Sequence, residues 1–81
     1  MQLHYTERLL KALEDAPPQV RKAFYKQARF LAENIRHPSL DAKKYDVPMN
    51  IWQARVTRSW RLYFTMEGDT SILLDLIPHP K

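Results

Sequence analysis

The sequence predicts an α+β fold, a helical hairpin packed on one face of a small twisted antiparallel β-sheet, and three observations carry that expectation. Apolar residues recur at helical spacing up to Ile35, they alternate with a period of two from Ile51 onward, and a proline-containing stretch separates the two regimes. Of the 81 residues, 44% are hydrophobic and 11% aromatic, too apolar for a disordered chain, and one glycine is too few for a many-stranded barrel. A chain of this length is expected to form one domain over residues 1–81. Such a domain buries only about two-thirds of the surface its unfolded form exposes, so each core residue counts.

Residues Met1 to Tyr5 are read as a short edge strand. Thr6 supplies a side-chain oxygen suited to capping the helix that follows, whose apolar stripe is Leu9, Leu10 and Leu13 and which ends near Asp15. Pro17 and Pro18 stop that helix and open the next, because proline is tolerated in a first turn where its missing N–H has no partner to lose. Val20, Phe24, Ala28 and Leu31 then repeat at helical spacing, with Ala23, Phe30 and Ile35 beside them. The second helix should end between Asn34 and Arg36, since His37 precedes Pro38 and is biased away from helical angles. From His37 to Asn50 two prolines, a serine and a lysine pair indicate a loop holding at most a short turn of helix.

Three strands follow, about Ile51 to Thr57, Trp60 to Met66 and Thr70 to Ile77. Trp52, Ala54, Val56, Trp60, Leu62 and Phe64 share one side of the period-2 pattern, with Ile72, Leu74 and Leu76 expected to continue it. The two tryptophans are read as core residues rather than a ligand platform. Gly68, in the Glu67–Thr70 turn, stands where a positive φ is needed. If Thr57, Arg58 and Ser59 form a three-residue loop, Val56 faces Trp60 and Arg55 falls opposite Arg61, with Tyr63 on the same open face. Like charges facing each other across a strand pair cost up to roughly 1 kcal/mol. A sheet that tolerates the pairing suggests a bound anion, and a guanidinium fork matches the oxygens of a phosphate. A registry in which Met66 faces Ile72 adds Asp75, Ile77 and His79 to that face.

The charge balance agrees with an anionic partner, since thirteen Lys and Arg against nine Asp and Glu give a formal net charge of +4. Charge alone selects no partner. The basic candidates are Lys43 and Lys44 in the loop, Arg55 and Arg61 on the sheet, and Arg58 at the hairpin tip; plain solvation is the alternative for each. His79 near the arginines is suited to general acid or base work, because imidazole titrates near neutrality, and its alternative is a free tail between two prolines. Tyr63 and Tyr45 offer ring faces on which bases stack, although packing also accounts for Tyr63. His4 and His37 lack ligand-like spacing with any carboxylate, so no metal site is expected. Ser39 forms no nucleophile motif, no glycine-rich phosphate loop is present, and no small-molecule cofactor is expected. With no cysteine there is no disulfide framework, which favours the cytoplasm. No signal peptide is recognised, and apolar runs such as Ile72 to Leu74 are too short to span a membrane.

Taken in order, HPSLDAKK, IWQARV, WRLYF, EGDTSILLDL and a closing histidine resemble the RelE/ParE superfamily of toxins from type II toxin-antitoxin modules, over roughly residues 20 to 79. The resemblance implies a RelE-like fold whose open sheet face binds RNA, a cognate antitoxin as partner, and messenger RNA on the ribosome as target. It implies a metal-independent mRNA interferase, in which a ribose 2′-hydroxyl attacks the adjacent phosphate while basic side chains stabilise the developing charge. By position, Lys43 and Lys44 match the family's loop lysines, Arg55 and Arg61 its strand arginines, and His79 a C-terminal histidine. On that reading Arg55, Arg61 and His79 are catalytic, and Lys43, Lys44, Arg58 and Tyr63 bind RNA. The chain departs from the family in ending Pro78, His79, Pro80, Lys81, without the tyrosine or acidic residue that family nucleases commonly carry there. Two other functions stay open from sequence: a ParE-like inhibitor of DNA gyrase, and a catalytically inactive protein that binds RNA or antitoxin.

Overall fold

A computed structural model describes residues 1–79 and orders them as β1 (Gln2–Tyr5), α1 (Glu7–Asp15), α2 (Pro18–Glu33), a 3-10 turn (Pro38–Leu40), β2 (Lys43–Asp46), β3 (Ile51–Thr57), β4 (Trp60–Glu67) and β5 (Thr70–Pro78). The strands form one sheet in the order β1-β5-β4-β3-β2. It is mixed, not wholly antiparallel as expected, because β1 runs parallel to β5. The partner of β1 comes only after both helices and three other strands, so no tight hairpin dictates that pairing. The expected loop over 37–50 also hides an element: the short helical turn is there, but Lys43–Asp46 is a strand on the edge beside β3. Its sequence, KKYD, carries no apolar alternation, since an edge strand that buries nothing leaves no periodic trace.

Both helices lie on the same side of the sheet, α1 against β5 and α2 against β3. Thr6 caps α1 as expected, its hydroxyl accepting from the Leu9 amide at 3.2 Å and donating to the Leu73 carbonyl at 2.7 Å, which ties the helix start to β5. Arg21 of α2 donates to the carbonyls of Leu13 and Ala16, satisfying acceptors that the end of α1 leaves open. Leu9, Leu13, Val20, Phe24, Ala28 and Leu31 from the helices meet Ala54, Val56, Leu62 and Phe64 from the sheet in one buried core. Leu10 departs from the expected stripe and stands half exposed, because one residue past Leu9 a helix has already turned by about 100°.

The β5 face is also shifted. The core residues are Ser71, Leu73 and Leu76, whereas Ile72 and Leu74 are only partly buried. Met66 pairs with Ser71 rather than Ile72, Phe64 pairs with Leu73 and Tyr63 with Asp75, so Leu74 is an extra residue in a bulge. Beyond the bulge the alternation reverses, which puts Asp75 opposite Tyr63 and Ile77 opposite Arg61. Gly68 has φ +57°, the left-handed conformation its turn requires.

Candidate functional site

The β3–β4 hairpin decides where the arginines go. Thr57 pairs with Trp60, so the turn holds two residues and not three, and Val56 does not face Trp60. Parity is restored by a bulge between Arg55 and Thr57, and Arg55 does stand opposite Arg61. The bulged backbone is held from the other side of the sheet. Gln27, buried on α2, donates through Nε2 to the Arg55 carbonyl at 2.8 Å and to the Ser39 carbonyl at 2.9 Å. One side chain therefore fixes the strand carrying Arg55 relative to the turn that leads into β2.

Lys43, Arg55, Arg61 and His79 line a cavity of about 170 Å³ together with Asp41 and Gln53. Each is placed by a local device. Arg61 donates from Nη1 to the carbonyls of Thr57, Arg58 and Trp60 at 2.7, 3.2 and 3.1 Å, so it is bound to the turn beside it. The backbone N–H of His79 donates to the Ser59 carbonyl at 2.6 Å, docking the residue after β5 on the hairpin tip rather than leaving it a loose tail. Asp41 closes the 3-10 turn at φ +46°, a conformation Asp tolerates better than most residues, and its Oδ2 lies 3.5 Å from Arg55 Nη2 and 4.0 Å from Lys43 Nζ. The pocket thus holds two facing guanidinium groups, an ammonium, an imidazole and one carboxylate.

Three of the sequence candidates lie outside this pocket. Lys44 faces the opposite way from Lys43, its Nζ 5.3 Å above the Trp52 ring and donating to Asn50, because neighbouring residues of a strand alternate sides. Arg58 sits exposed at the tip of the hairpin, outside the pocket lining. Tyr63 is one step further along the open face, edge-on to Tyr45 with ring centroids 4.8 Å apart. Burial first, and then Tyr45 and Asp75, hold the Tyr63 hydroxyl above its ordinary value of 10.0 despite the opposing pull of Arg61. It stays protonated and able to donate near neutrality.

Sequence reasoning missed Asp41, Gln53 and Gln27. For Gln27 a signal existed, since a glutamine at helical spacing between Phe24 and Leu31 sits on an apolar stripe and must find partners there. Nothing in the period of LDAKK marks Asp41. Among the described residues no group of three or more His, Asp and Glu is placed to hold a metal ion. No helix among them is long and apolar enough to cross a membrane.

A small α+β domain with helices on one sheet face and a basic pocket on the other is the class of protein these observations define. Neither protein-family models nor curated proteins match the chain, whereas solved structures do. A YoeB/ParE toxin from Agrobacterium tumefaciens superposes with a TM-score of 0.81 at 14% identity, covering 99% of this chain and 100% of that one. The isolated E. coli RelE toxin gives 0.77 at 18% identity over 99% and 85% of the two chains. The RelB-RelE antitoxin-toxin complex of Methanococcus jannaschii gives 0.75 at 21% identity over 93% and 88%. The chain has the RelE-like fold.

Proposed function

We propose that the chain, read as one domain over 1–81, is the toxin of a type II toxin-antitoxin module and cuts messenger RNA on the ribosome. The observation that supports this reading best is the convergence of Lys43, Arg55, Arg61 and His79 on one pocket of a RelE-like fold. Facing arginines destabilise an empty sheet, and a phosphodiester relieves that cost while its oxygens take the free guanidinium N–H groups. In the proposed reaction the ribose 2′-oxygen attacks the adjacent phosphorus, the bond to the 5′-oxygen breaks, and a 2′,3′-cyclic phosphate and a 5′-hydroxyl end result. Arg55 and Arg61 stabilise the extra negative charge on the phosphoryl oxygens as it develops. Asp41, the pocket's one carboxylate, takes the 2′-hydroxyl proton, and protonated His79 gives a proton to the departing 5′-oxygen. The net proton balance is zero, and the arginines supply the charge stabilisation that a metal would otherwise provide. An antitoxin, the partner present in the M. jannaschii complex, would silence the protein by covering this face.

Induction of the wild-type chain, compared with Arg61→Ala plus His79→Ala, tests the reading. Growth arrest with new RNA ends mapped to translated codons is expected for wild type only, with circular dichroism showing that the variant still folds. Equal arrest by both proteins without RNA ends would place the activity elsewhere and favour gyrase as the target. RNA binding without any cleavage would identify an inactive relative.

A further inference from the structure

Beside the basic pocket the open face carries a second concavity of about 450 Å³, whose walls include Tyr45, Ile51, Tyr63, Leu74 and Ile77, with Asp75, Arg8 and Thr6 at its side. The two are continuous through the sheet register. Ile77 is the strand partner of Arg61, and Tyr63 is the partner of both Gln53 and Asp75. From Arg61 to Tyr63 is two residues along β4, or roughly 7 Å, which is within the reach of one nucleotide whose phosphate lies on the arginines. Resting on the RNA-cleavage reading above, we propose that this groove receives one unstacked nucleobase next to the scissile phosphate, and that Asp75 selects guanine.

The chemistry of the groove favours a base over a peptide side chain. Its floor is apolar, Tyr45 is 63% exposed, and a single carboxylate stands at the side with the Arg8 guanidinium beside it. That carboxylate is fixed in direction. Asp75 Oδ1 accepts from the Leu76 amide at 2.9 Å, and Oδ2 lies 3.2 Å from Arg8 Nε at the start of α1. Each carboxylate oxygen keeps a further acceptor site, so the pair can still receive two parallel N–H donors. Guanine is the only common base whose Watson–Crick edge offers two adjacent donors, N1–H and the 2-amino group. Adenine and cytosine each place a ring acceptor beside their amino group, which a carboxylate repels, and uracil offers one N–H between two carbonyls. Arg8 lines the groove beside Asp75 and holds its Oδ2.

The test uses 2′-O-methylated RNA codons, which cannot be cut, bearing guanine, inosine or adenine on either side of the central phosphate. Binding of the full chain is measured by fluorescence anisotropy to the free oligonucleotides and to ribosomes programmed with them. Guanine should bind about 5- to 150-fold more tightly than adenine, with inosine, which lacks the 2-amino group, in between. Asp75→Asn should erase or reverse that ranking, since the asparagine amide offers one acceptor and one donor, the complement of adenine's 6-amino group and N1, while its oxygen still accepts from the Leu76 amide. Tyr63→Leu should weaken all three bases together, again about 5- to 150-fold. No guanine preference in the wild type, or a preference that Asp75→Asn leaves intact, would overturn the proposal. So would a Tyr63→Leu variant that binds RNA normally but loses its antitoxin, which would make the groove a protein-docking face. Guanine-selective binding without cleavage of unmethylated RNA would uphold the subsite and sink the nuclease reading. Cleavage with no guanine dependence would do the reverse.

Discussion

Replacing Gln27 by leucine should unseat the site without touching any residue in it. The side chain is buried, lies on α2, and makes two hydrogen bonds through one nitrogen, to the carbonyls of Ser39 and Arg55 at 2.9 and 2.8 Å. Leucine fills nearly the same space, so no cavity opens, and the loss is that of two hydrogen bonds whose acceptors stay behind. At about 1 to 1.5 kcal/mol for each bond to an acceptor that is left unpaired, the change is about 2 to 3 kcal/mol. For a domain of this size that corresponds to a fall in Tm of about 10 to 20 °C, or a fall of about 2 to 3 M in the urea midpoint at an m-value of about 1 kcal/mol/M. Urea melts followed by tryptophan fluorescence and by circular dichroism measure it, and the two probes should coincide. RNA affinity at low urea should fall as well, because Gln27 holds the turn bearing Asp41 and Lys43 against the strand bearing Arg55. A leucine variant as stable as wild type would refute the argument. It would mean that water or a shifted backbone satisfies both carbonyls and that the glutamine positions nothing.

The two loop lysines should separate: Lys43→Ala should weaken RNA binding and flatten its salt dependence, whereas Lys44→Ala should leave both unchanged and cost about 0.5 to 1 kcal/mol of stability through its lost contact with Trp52, as salt titrations and melts would reveal. The raised hydroxyls of Tyr63 and Tyr5, both lifted mainly by burial, make the folded state bind protons more tightly than the unfolded one. Their contribution is therefore complete below pH 10.0, the ordinary tyrosine value, and is lost as pH rises through the higher folded values, so the unfolding midpoint should drop above that pH and Tyr63→Phe should reduce the drop. Deleting Leu74 removes the bulge but leaves Ser71, Leu73 and Leu76 in regular alternation, so the chain should still fold, with far less loss than the 2 to 5 kcal/mol expected for Leu73→Ala (about the usual range for a buried leucine), while binding in the groove that Leu74 lines is weakened.

What could be read from the sequence was whatever left a periodic trace. Val20, Phe24, Ala28 and Leu31 gave α2, and Ala54, Leu62 and Phe64 gave the covered face of the sheet, because burying one side of an element imposes its period on the residues. β2 left none, since KKYD buries nothing, and β1 was legible only as an edge segment because a parallel partner distant in sequence has no local signature. The site was legible where alternation reached it, at Arg55 and Arg61, and invisible where it depended on a turn, at Asp41. Lys44 shows the limit of reading residues by neighbourhood: adjacent to Lys43 in sequence, it is across the sheet from it in space.

Each strand pairing that builds the open face contains a register shift, between Lys44 and Asp46, between Arg55 and Thr57, and between Tyr63 and Phe64 on the β4–β5 ladder. A bulge costs a ladder position and returns a change of direction. In β5 the gain is plain, because if Leu74 were an ordinary ladder residue and not a bulge, the alternation that buries Ser71 and Leu73 would drive Asp75 into the core and turn Leu76 outward. In β3 the bulge lets a two-residue turn coexist with arginines on the same face, which a regular two-residue hairpin would not permit in this sequence. Burial accounts for most positions in these strands, but it does not ask for Arg55 opposite Arg61 or for a carboxylate beside Tyr63. Those placements lie where the regular pattern has been broken, and a fold optimised for stability alone would have kept the pattern and lost the pocket.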